Sequence, residues 1–532
     1  MDEKHTVLLK ILIDSVSTLK QSKPYEGTDQ ITAIHYDSRN IAPGDIFVAI
    51  EGENHNGHDY VNAAISQGAT AIFGTRTINH LKVPYFQVED SRKTLAELSA
   101  AFYHFPAKKL FVIGVTGTDG KTTTVNLIYQ ILKSANINAG MISTVNASWG
   151  DESIDTGFHV TTPEAPIIQS FLAKMVDKGI THVVLEATSH GLHQHRVTGC
   201  EFNVGVITNI THEHLDYHGD YEHYLSAKSL LLTQLNDTKP KEVGESRIAV
   251  INHDDQSYIF LQDILNAPEN STIQVVTYGV KSQADFIANN ITMNDSGLSF
   301  QVIADKSIIQ IESPLIGEYN VSNILAAIAA TDVGLRIPFE QIIQGVNNVK
   351  YIPGRMEKID CGQNFTAIVD FAHTPNALKV ALQTSRRITN KRVIAVFGCA
   401  GLRDRQKRIM MPEISVDLAD VSLFTAEDPR TESLDSILGE MKSAAEKNGY
   451  KEDEHFILEP DRGEAIRKGV SLAQKGDVVI ICGKGHEQSM CFGTEEFAWD
   501  DRIALHAALA ELLGQEGPKM PFLPTQKIIN QV

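Results

Sequence analysis

An apolar run at residues 110–113 leads directly into GVTGTDGKTTT at residues 114–124, and this junction limits the fold more than any other stretch. A short buried strand, a glycine-rich turn and a Lys-Thr pair opening a helix make the layout of a phosphate-binding loop. The glycines let backbone N–H groups close around phosphate oxygens, Lys121 supplies charge, and the Thr122 hydroxyl can ligate Mg²⁺. The strict pattern asks for glycine where this chain has Val115. A plain strand-to-helix turn would leave Lys121 and the three successive threonines without a purpose, so nucleotide binding is expected.

A loop of this kind needs a sheet to carry it, and the chain is long enough for several. Its 532 residues suggest three or four domains, and 42% hydrophobic content supplies an ordinary core for each. The net charge of −19 argues against a nucleic-acid or anionic-membrane surface. A nucleotide must then be held by specific Lys, Arg, Mg²⁺ and backbone donors. The five cysteines are scattered and form no Cys-x-x-Cys pair, which is expected of reduced thiols in a cytoplasmic protein. The first residues, MDEKHTVLLKILIDSV, carry acids early and a lysine inside the apolar stretch, unlike a signal peptide. No apolar run approaches the roughly 18 residues of a membrane span.

Three blocks follow from the patterning, at residues 1–108, 109–352 and 353–532. The first mixes short elements: a Pro43-Gly44 turn, strands at 46–50 and 69–73, and a helix at 61–67. In the second, strands at 111–115, 182–185, 204–207 and 248–251 alternate with helical stretches, implying a parallel sheet covered on both faces. Strands at 367–371, 393–397, 421–424 and 478–482 imply a second such sheet in the third block. Ligands of these sheets bind beyond the carboxyl ends of the strands. Polar residues gather there in both: TGTDGKTT, EATSH and TNITHEHLDYHG in the second block, DFAHTP, GCAGLRDR, TAEDPRTE and GKGHE in the third. The tail after Gly514 is expected to be poorly ordered.

Several residues at these ends carry chemistry on type and place. Glu186 closes a strand beside the phosphate loop and is placed to hold Mg²⁺; the alternative is a solvated acid. His214 lies in a histidine-rich stretch, where a hydrogen-bonded loop histidine is the plain alternative. Zinc is disfavoured there by irregular spacing and the absence of a nearby cysteine. Lys228, in an apolar helical pattern, reads on pattern alone as a surface lysine. Arg403, Arg405, Arg430 and Glu487 fall where a sheet crevice binds anions, with exposed charged turns as the alternative.

Taken in order, the motifs resemble those of the Mur ligases, most closely the UDP-N-acetylmuramoyl-tripeptide synthetases. The resemblance runs over nearly the whole chain: DSR and PGDIFVAIEG, TGTDGKTT, TTP, EATSHGLHQHR, HLDYHG, NVSN, PGRME, DFAHTP, GLRDRQKR, EDPR and GKGHE. It implies three α/β domains: a mixed N-terminal domain for the muramyl nucleotide, a central phosphate-loop ATPase domain with a parallel sheet, and a Rossmann-like C-terminal domain for the amino acid. It implies ATP and Mg²⁺, with Gly117, Thr118, Asp119, Gly120, Lys121, Thr122 and Thr123 around the phosphates. Asn323, Arg355, Asp370 and Lys407 would help hold ATP. Thr122, Glu186, His214 and Lys228 would surround the metal, Lys228 as a carbamate, and Lys121, Glu186, His214 and Lys228 would serve the chemistry. Ser38, Thr161, Thr162, Thr188, Gln194 and Arg196 would contact the muramyl-peptide nucleotide. Arg403, Glu427, Asp428, Pro429, Arg430, Gly483 and Glu487 would bind the incoming amino acid.

The implied reaction is ATP-driven amide formation on a muramyl dipeptide nucleotide, by way of an acyl phosphate, with small-molecule substrates and no obligate protein partner. Four positions in three motifs depart from the family. Asp119 stands where Asn is usual, Thr188 where Ser is usual, and EDPR replaces the DNPR of enzymes that add meso-diaminopimelate. Asp428 puts a charge where an amide is usual, which favours a plain ammonium end such as lysine or ornithine. The paired Arg403 and Arg430 favour diaminopimelate. Another amide ligase on the same scaffold, such as a folylpolyglutamate synthetase, and a non-catalytic nucleotide-binding regulator remain as alternatives.

Overall fold

The computed structural model describes residues 5–20, 25–52, 55–150, 152–155, 161–211, 213, 215–241, 243–244, 246–294, 296–305 and 307–525. The chain divides into two compact units. One is formed by residues up to 287 with 303–306 and 322–345, the other by residues 288–302, 307–321 and 346 onward.

The first unit begins with a four-stranded parallel sheet in the order Ile34–His35, Ile46–Ala49, Ala71–Gly74, Tyr85–Gln87. The helix Val61–Gln67 ends at Gly68 in the left-handed conformation, φ 109°, so the next strand starts at Ala71 rather than at residue 69. Asp90 caps the helix Ser91–Phe102 by accepting from the backbone N–H groups of Arg92 and Lys93. That helix packs its apolar face on the sheet through Leu95, Leu98 and Phe102.

The larger sheet of this unit is centred on Phe111–Thr116, which lies between His182–Glu186 and Val204–Ile207, all parallel. Ile248–Asn252 and Gln274–Gly279 extend it on one side and Ala139–Ile142 on the other. The central strands are buried from end to end, which is why they read in the sequence as unbroken apolar runs. The sheet is not parallel throughout. Asn146–Trp149 and Glu152–Asp155 add an antiparallel edge beside Ala139–Ile142. Three further strands, Phe286–Asn294, Gly297–Ala304 and Ser307–Ser313, lie mostly in the second unit. In Gly297–Ala304 and Ser307–Ser313 burial alternates along most of the strand, a half-buried pattern that a search for continuous apolar runs passes over.

The second unit carries a six-stranded sheet in the order Glu357–Ile359, Thr366–Asp370, Val478–Cys482, Val393–Phe397, Val421–Phe424, Phe456–Leu458. Only the first pairing is antiparallel. Apolar clusters cover both faces, one around Phe397, Phe424 and Met411, the other around Trp499, Leu505 and Met490. The strand Val478–Cys482 is inserted between Thr366–Asp370 and Val393–Phe397 although it comes last of the three in sequence, so its carboxyl end opens at a change of strand order. The expectation of a poorly ordered tail is corrected for residues 515–525. Leu523 is buried, and the Thr525 hydroxyl donates to Asp461 at 2.7 Å. Residues 526–532 lie outside the described residues.

Candidate functional site

In the first unit, the strand Phe111–Thr116 ends, the chain turns through Gly117–Gly120, and Lys121 opens the helix Lys121–Ser134. Gly117 has φ 152°, and a methyl group in place of its hydrogen would collide with the Thr208 hydroxyl, so only glycine fits. The turn is braced from the next strand end. Thr118 N–H donates to Asn209 O at 2.7 Å, Asp119 N–H to Asn209 Oδ1 at 3.0 Å, and the Thr208 hydroxyl to Asp119 O at 2.6 Å. Lys121 Nζ donates to Thr118 O at 2.7 Å. Asn323 lays its side-chain amide against Gly120. Thr122 and Thr123 are buried in the first helical turn.

Beside this turn, Glu186 is 1% exposed at the end of its strand. Its carboxylate accepts from the Thr122 hydroxyl at 3.1 and 3.0 Å, from Thr144 N–H at 3.0 Å and from the Thr144 hydroxyl at 2.8 Å. A buried carboxylate and hydroxyl oxygens are hard donors of the kind Mg²⁺ takes, so the residues present fit that ion. Lys228 is not the surface residue its pattern suggests. It is 2% exposed, and its Nζ donates to Gly117 O at 2.5 Å and lies 4.7 Å from the centre of the Tyr224 ring. Burial, and next the charge of Lys121, hold its amine well below the ordinary lysine range. His214 lies outside the described residues. Among the described residues no group of three or more His, Cys, Asp and Glu side chains is arranged for a metal.

Four of the residues expected at the muramyl-peptide nucleotide, Thr162, Thr188, Gln194 and Arg196, form one network. The Thr162 hydroxyl donates to Glu186 O at 3.1 Å and accepts from Thr188 N–H at 3.0 Å, and Thr188 caps the short helix Ser189–His193. Arg196 donates to Thr162 O at 2.8 Å and to Gln194 Oε1 at 3.1 and 2.7 Å, and pairs with Glu164 at 2.9 Å. Gln194 donates in turn to the Tyr217 hydroxyl at 2.9 Å. Tyr36, two residues before the buried Ser38, feels the charges of Glu164 and Arg196, which brings the N-terminal DSR segment to this network. Thr161, half-buried, precedes it in the chain.

In the second unit, two clusters meet at the GKGHE turn. On one side, Asp370 accepts from Met356 N–H at 2.7 Å and Ala372 N–H at 2.9 Å, and Arg355 lies over the Phe371 ring at 4.6 Å. Burial raises the Asp370 carboxyl, and Arg355 opposes that shift. The Phe371 ring packs against His486, whose ring centre is 4.9 Å away. On the other side, Gly401 N–H donates to Asp428 O at 3.0 Å, tying the GLRDR loop to EDPR. Leu402, Asp428 and Arg430 all have positive φ, at 54°, 39° and 54°. Such conformations are uncommon outside glycine and gather at functional sites. Arg430 is fixed by backbone bonds to Cys491 and Gly493. Arg403 is exposed, and Lys407 opens a helix on a different loop from Arg355 and Asp370.

Glu427 is buried, and its Oε2 has no hydrogen-bond partner; burial pushes its carboxyl up to about 8. A methyl group at Gly483, φ 115°, would lie 2.5 Å from that oxygen, so the glycine makes room for it. Pro429 is buried between Asp428 and Arg430. Beneath both turns, Arg462 donates to Ala426 O at 3.1 Å and Cys482 O at 2.8 Å, and forms a fully buried pair with Asp501 at 2.7 Å. Lys484, also buried, bridges Asp428 and Glu487. Sequence reasoning passed over Thr144, Thr208, Asn209, Arg462 and Lys484. Thr208, Asn209 and Lys484 sit inside stretches picked out as strand ends, so their place was visible. Arg462 carries no such mark, because its role depends on two strand ends brought together by folding.

Three stretches of the chain match described families. Residues 30–103 match the Mur ligase family catalytic domain, 115–331 the Mur ligase middle domain, and 354–485 the Mur ligase glutamate ligase domain. The UDP-N-acetylmuramoyl-L-alanyl-D-glutamate–2,6-diaminopimelate ligase of Geobacillus thermodenitrificans is 41% identical over 485 residues, covering 91% of this chain and 96% of that one. The enzyme of the same name from Listeria monocytogenes is 37% identical over 487 residues, covering 92% and 96%. A solved structure of a ligase of that name superposes with TM-score 0.67 at 29% identity, over 96% of this chain and 99% of its own. A folylpolyglutamate synthase of Mycobacterium tuberculosis, 15% identical with TM-score 0.60 over 80% and 96%, shares the fold alone. The three-domain α/β architecture, the phosphate loop and these relatives agree: the chain belongs to the Mur ligase family.

Proposed function

We propose that this chain is an ATP-dependent ligase that joins a diamino acid to UDP-N-acetylmuramoyl-L-alanyl-D-glutamate in peptidoglycan biosynthesis, with meso-diaminopimelate as the amino acid. The observation that carries the reading is the buried Thr122–Glu186 pair beside a closed phosphate turn, in a chain 41% identical to a ligase named for that reaction. Residues 1–108 take the muramyl nucleotide, 109–352 ATP and 353–532 the amino acid, a division supported by the three family matches. The substrates are small molecules that point to the cytoplasm. In keeping with that, all five cysteines are free, and among the described residues no helix is long and apolar enough to cross a membrane.

Gly117–Thr123 and Asn323 hold the ATP phosphates, and Arg355, Asp370 and Lys407 carry the nucleotide-binding role of the second unit. Ser38, Thr161, Thr162, Thr188, Gln194 and Arg196 hold the dipeptide nucleotide. Mg²⁺ would be held by Thr122 and Glu186, with His214 and a carbamate on Lys228 as further nitrogen and oxygen donors, and would offset the repulsion between carboxylate and triphosphate. A free ammonium would not ligate that ion, and the carbamate turns Lys228 into an oxygen donor. The dipeptide carboxylate oxygen attacks the γ-phosphorus as the bond to ADP breaks. Lys121 and the loop N–H groups stabilise the charge that develops. The amino acid's nitrogen then attacks the acyl carbon, phosphate leaves, and the nitrogen loses its proton. Arg403, Glu427, Asp428, Pro429, Arg430, Gly483 and Glu487 orient that amino acid.

The test supplies ATP and the dipeptide nucleotide with meso-diaminopimelate, lysine or ornithine in turn and follows ADP release. Preference for meso-diaminopimelate by about 10⁴-fold in kcat/KM is expected, the scale on which a site built around polar contacts rejects an analogue lacking them. Preference for lysine or ornithine removes diaminopimelate from the reading. No ADP with any of the three overturns it.

A further inference from the structure

Asp428 is the position at which this chain departs from the usual amide, and left open it would draw a plain ammonium group into the amino-acid site. It is not open. Its Oδ1 accepts from Lys484 Nζ at 3.0 Å and from Cys491 N–H at 2.9 Å, and its Oδ2 accepts from the same Nζ at 3.0 Å. Lys484 Nζ also meets Glu487 Oε2 at 2.5 Å. The lysine is 2% exposed, whereas the side chains of Asp428 and Glu487 keep 20% and 35% of their surface. The ammonium is therefore buried beneath two partly exposed carboxylates. Burial would lower its pKa, but Glu487 and Asp428 outweigh burial and raise it, so it stays charged.

We propose that Lys484 sets the specificity of the amino-acid site: by bridging Asp428 and Glu487 it cancels their excess charge and leaves Arg403 and Arg430 to select an amino acid whose far end carries a carboxylate. The inference rests on the assignment of the amino-acid site made above. Among the described residues, neither arginine has a carboxylate partner. With Lys484 present, and with the Glu427 carboxyl pushed up to about 8 by burial and so largely neutral, the cations Arg403, Arg430 and Lys484 outnumber the carboxylates Asp428 and Glu487 by one. Without it the two signs balance, and two partly exposed carboxylates are released to hold an ammonium group. Lys484 thus acts through Asp428 and Glu487 as a positioning residue, and the extra carboxylate of this chain is compatible with a zwitterionic substrate end.

The test compares kcat/KM for meso-diaminopimelate and for lysine in the full-length enzyme and its variants. In Lys484→Met the ratio of the two is expected to fall by about tenfold, equivalent to roughly 1.4 kcal/mol of lost discrimination. The change should appear in KM for the amino acid, with KM for ATP unchanged. Adding Asp428→Asn to that variant should recover part of the ratio, and Lys484→Arg, which keeps the charge, should hold it near wild type. An unchanged ratio in Lys484→Met, or a collapsed one in Lys484→Arg, overturns the inference and leaves Lys484 a structural tie. If Lys484→Met does not fold, the double variant and Lys484→Arg carry the same comparison. If the wild type ligates neither amino acid, the functional reading falls. Calorimetric binding of the same two amino acids then still decides whether Lys484 sets the preference.

Discussion

The phosphate turn of the first unit and the GKGHE–EDPR turns of the second both sit at the carboxyl ends of buried parallel strands, yet they are built from different materials. The first is mostly backbone. Gly117, Gly120 and the carbonyls and amides of Thr118, Asp119 and Asn209 define it, and a few side chains brace it. The second is mostly charged side chains, held by a buried arginine and a buried lysine and strung on non-glycine residues in left-handed conformations. On the assignment proposed above, the first takes a triphosphate, which presents the same oxygens in every NTP-dependent enzyme so that N–H groups and one lysine suffice, and the second takes an amino acid. An amino acid must be told from near relatives, and only side-chain charge and shape can do that.

The largest effect that separates the two regions is expected from Arg462→Met. Breaking the fully buried pair leaves Asp501 without its partner and loosens the carbonyls of Ala426 and Cys482 together. A loss of about 3–5 kcal/mol is expected, read as a lower denaturant midpoint for the second unit. A midpoint within error of wild type would show that the brace is not needed. Lys121→Ala works on the other region. Its Nζ makes one partly buried bond to Thr118 O, so stability should hold while phosphate release falls by about 10²–10³-fold, as for loss of a charge stabiliser. Unchanged release would remove the loop's assigned role.

Much of this contrast is already present in the primary structure. The strands at 204–207, 393–397, 421–424 and 478–482 were legible residue for residue, because strands buried on both faces read as near-continuous apolar runs, with Ser422 the one polar residue among these four. The phosphate turn was legible because its glycines, lysine and threonines are contiguous. The antiparallel edge at Asn146–Trp149 and Glu152–Asp155 was not, since NASW alternates over only four residues and ESID holds a single apolar residue. Lys228 read as a surface residue because helical periodicity cannot say that a neighbouring loop will cover it. Asp428 read as an open charge because Lys484 lies 56 positions away, and only folding brings the two together. Arg462 was missed for the same reason.

Smaller effects sharpen the comparison. Arg430→Ala should raise KM for the amino acid by about tenfold to a hundredfold, the cost of losing a hydrogen bond to a charged group. KM for ATP should stay where it is. A matching rise in both would mean that the two regions do not divide the substrates as proposed. The smallest effect concerns pH. Glu427 is held well above the usual carboxylate range, at about 8. Its contribution to stability is therefore fully present below about pH 4.5 and is lost as pH rises through about 8. Thermal melting of Glu427→Gln should gain on wild type steadily from pH 5 to pH 8.5, by a few degrees. A constant difference across that range would show that the carboxyl ionises normally.

The central claim is that a peptide carboxylate oxygen attacks the γ-phosphorus beside Lys121 and Glu186, and that phosphate later departs with that oxygen. The direct measurement places ¹⁸O in the terminal carboxylate of the dipeptide nucleotide, runs one round of ligation with meso-diaminopimelate, and weighs the released phosphate. Phosphate carrying an ¹⁸O atom, formed together with the tripeptide nucleotide, is the predicted result; unlabelled phosphate alongside a full yield of tripeptide would contradict the account.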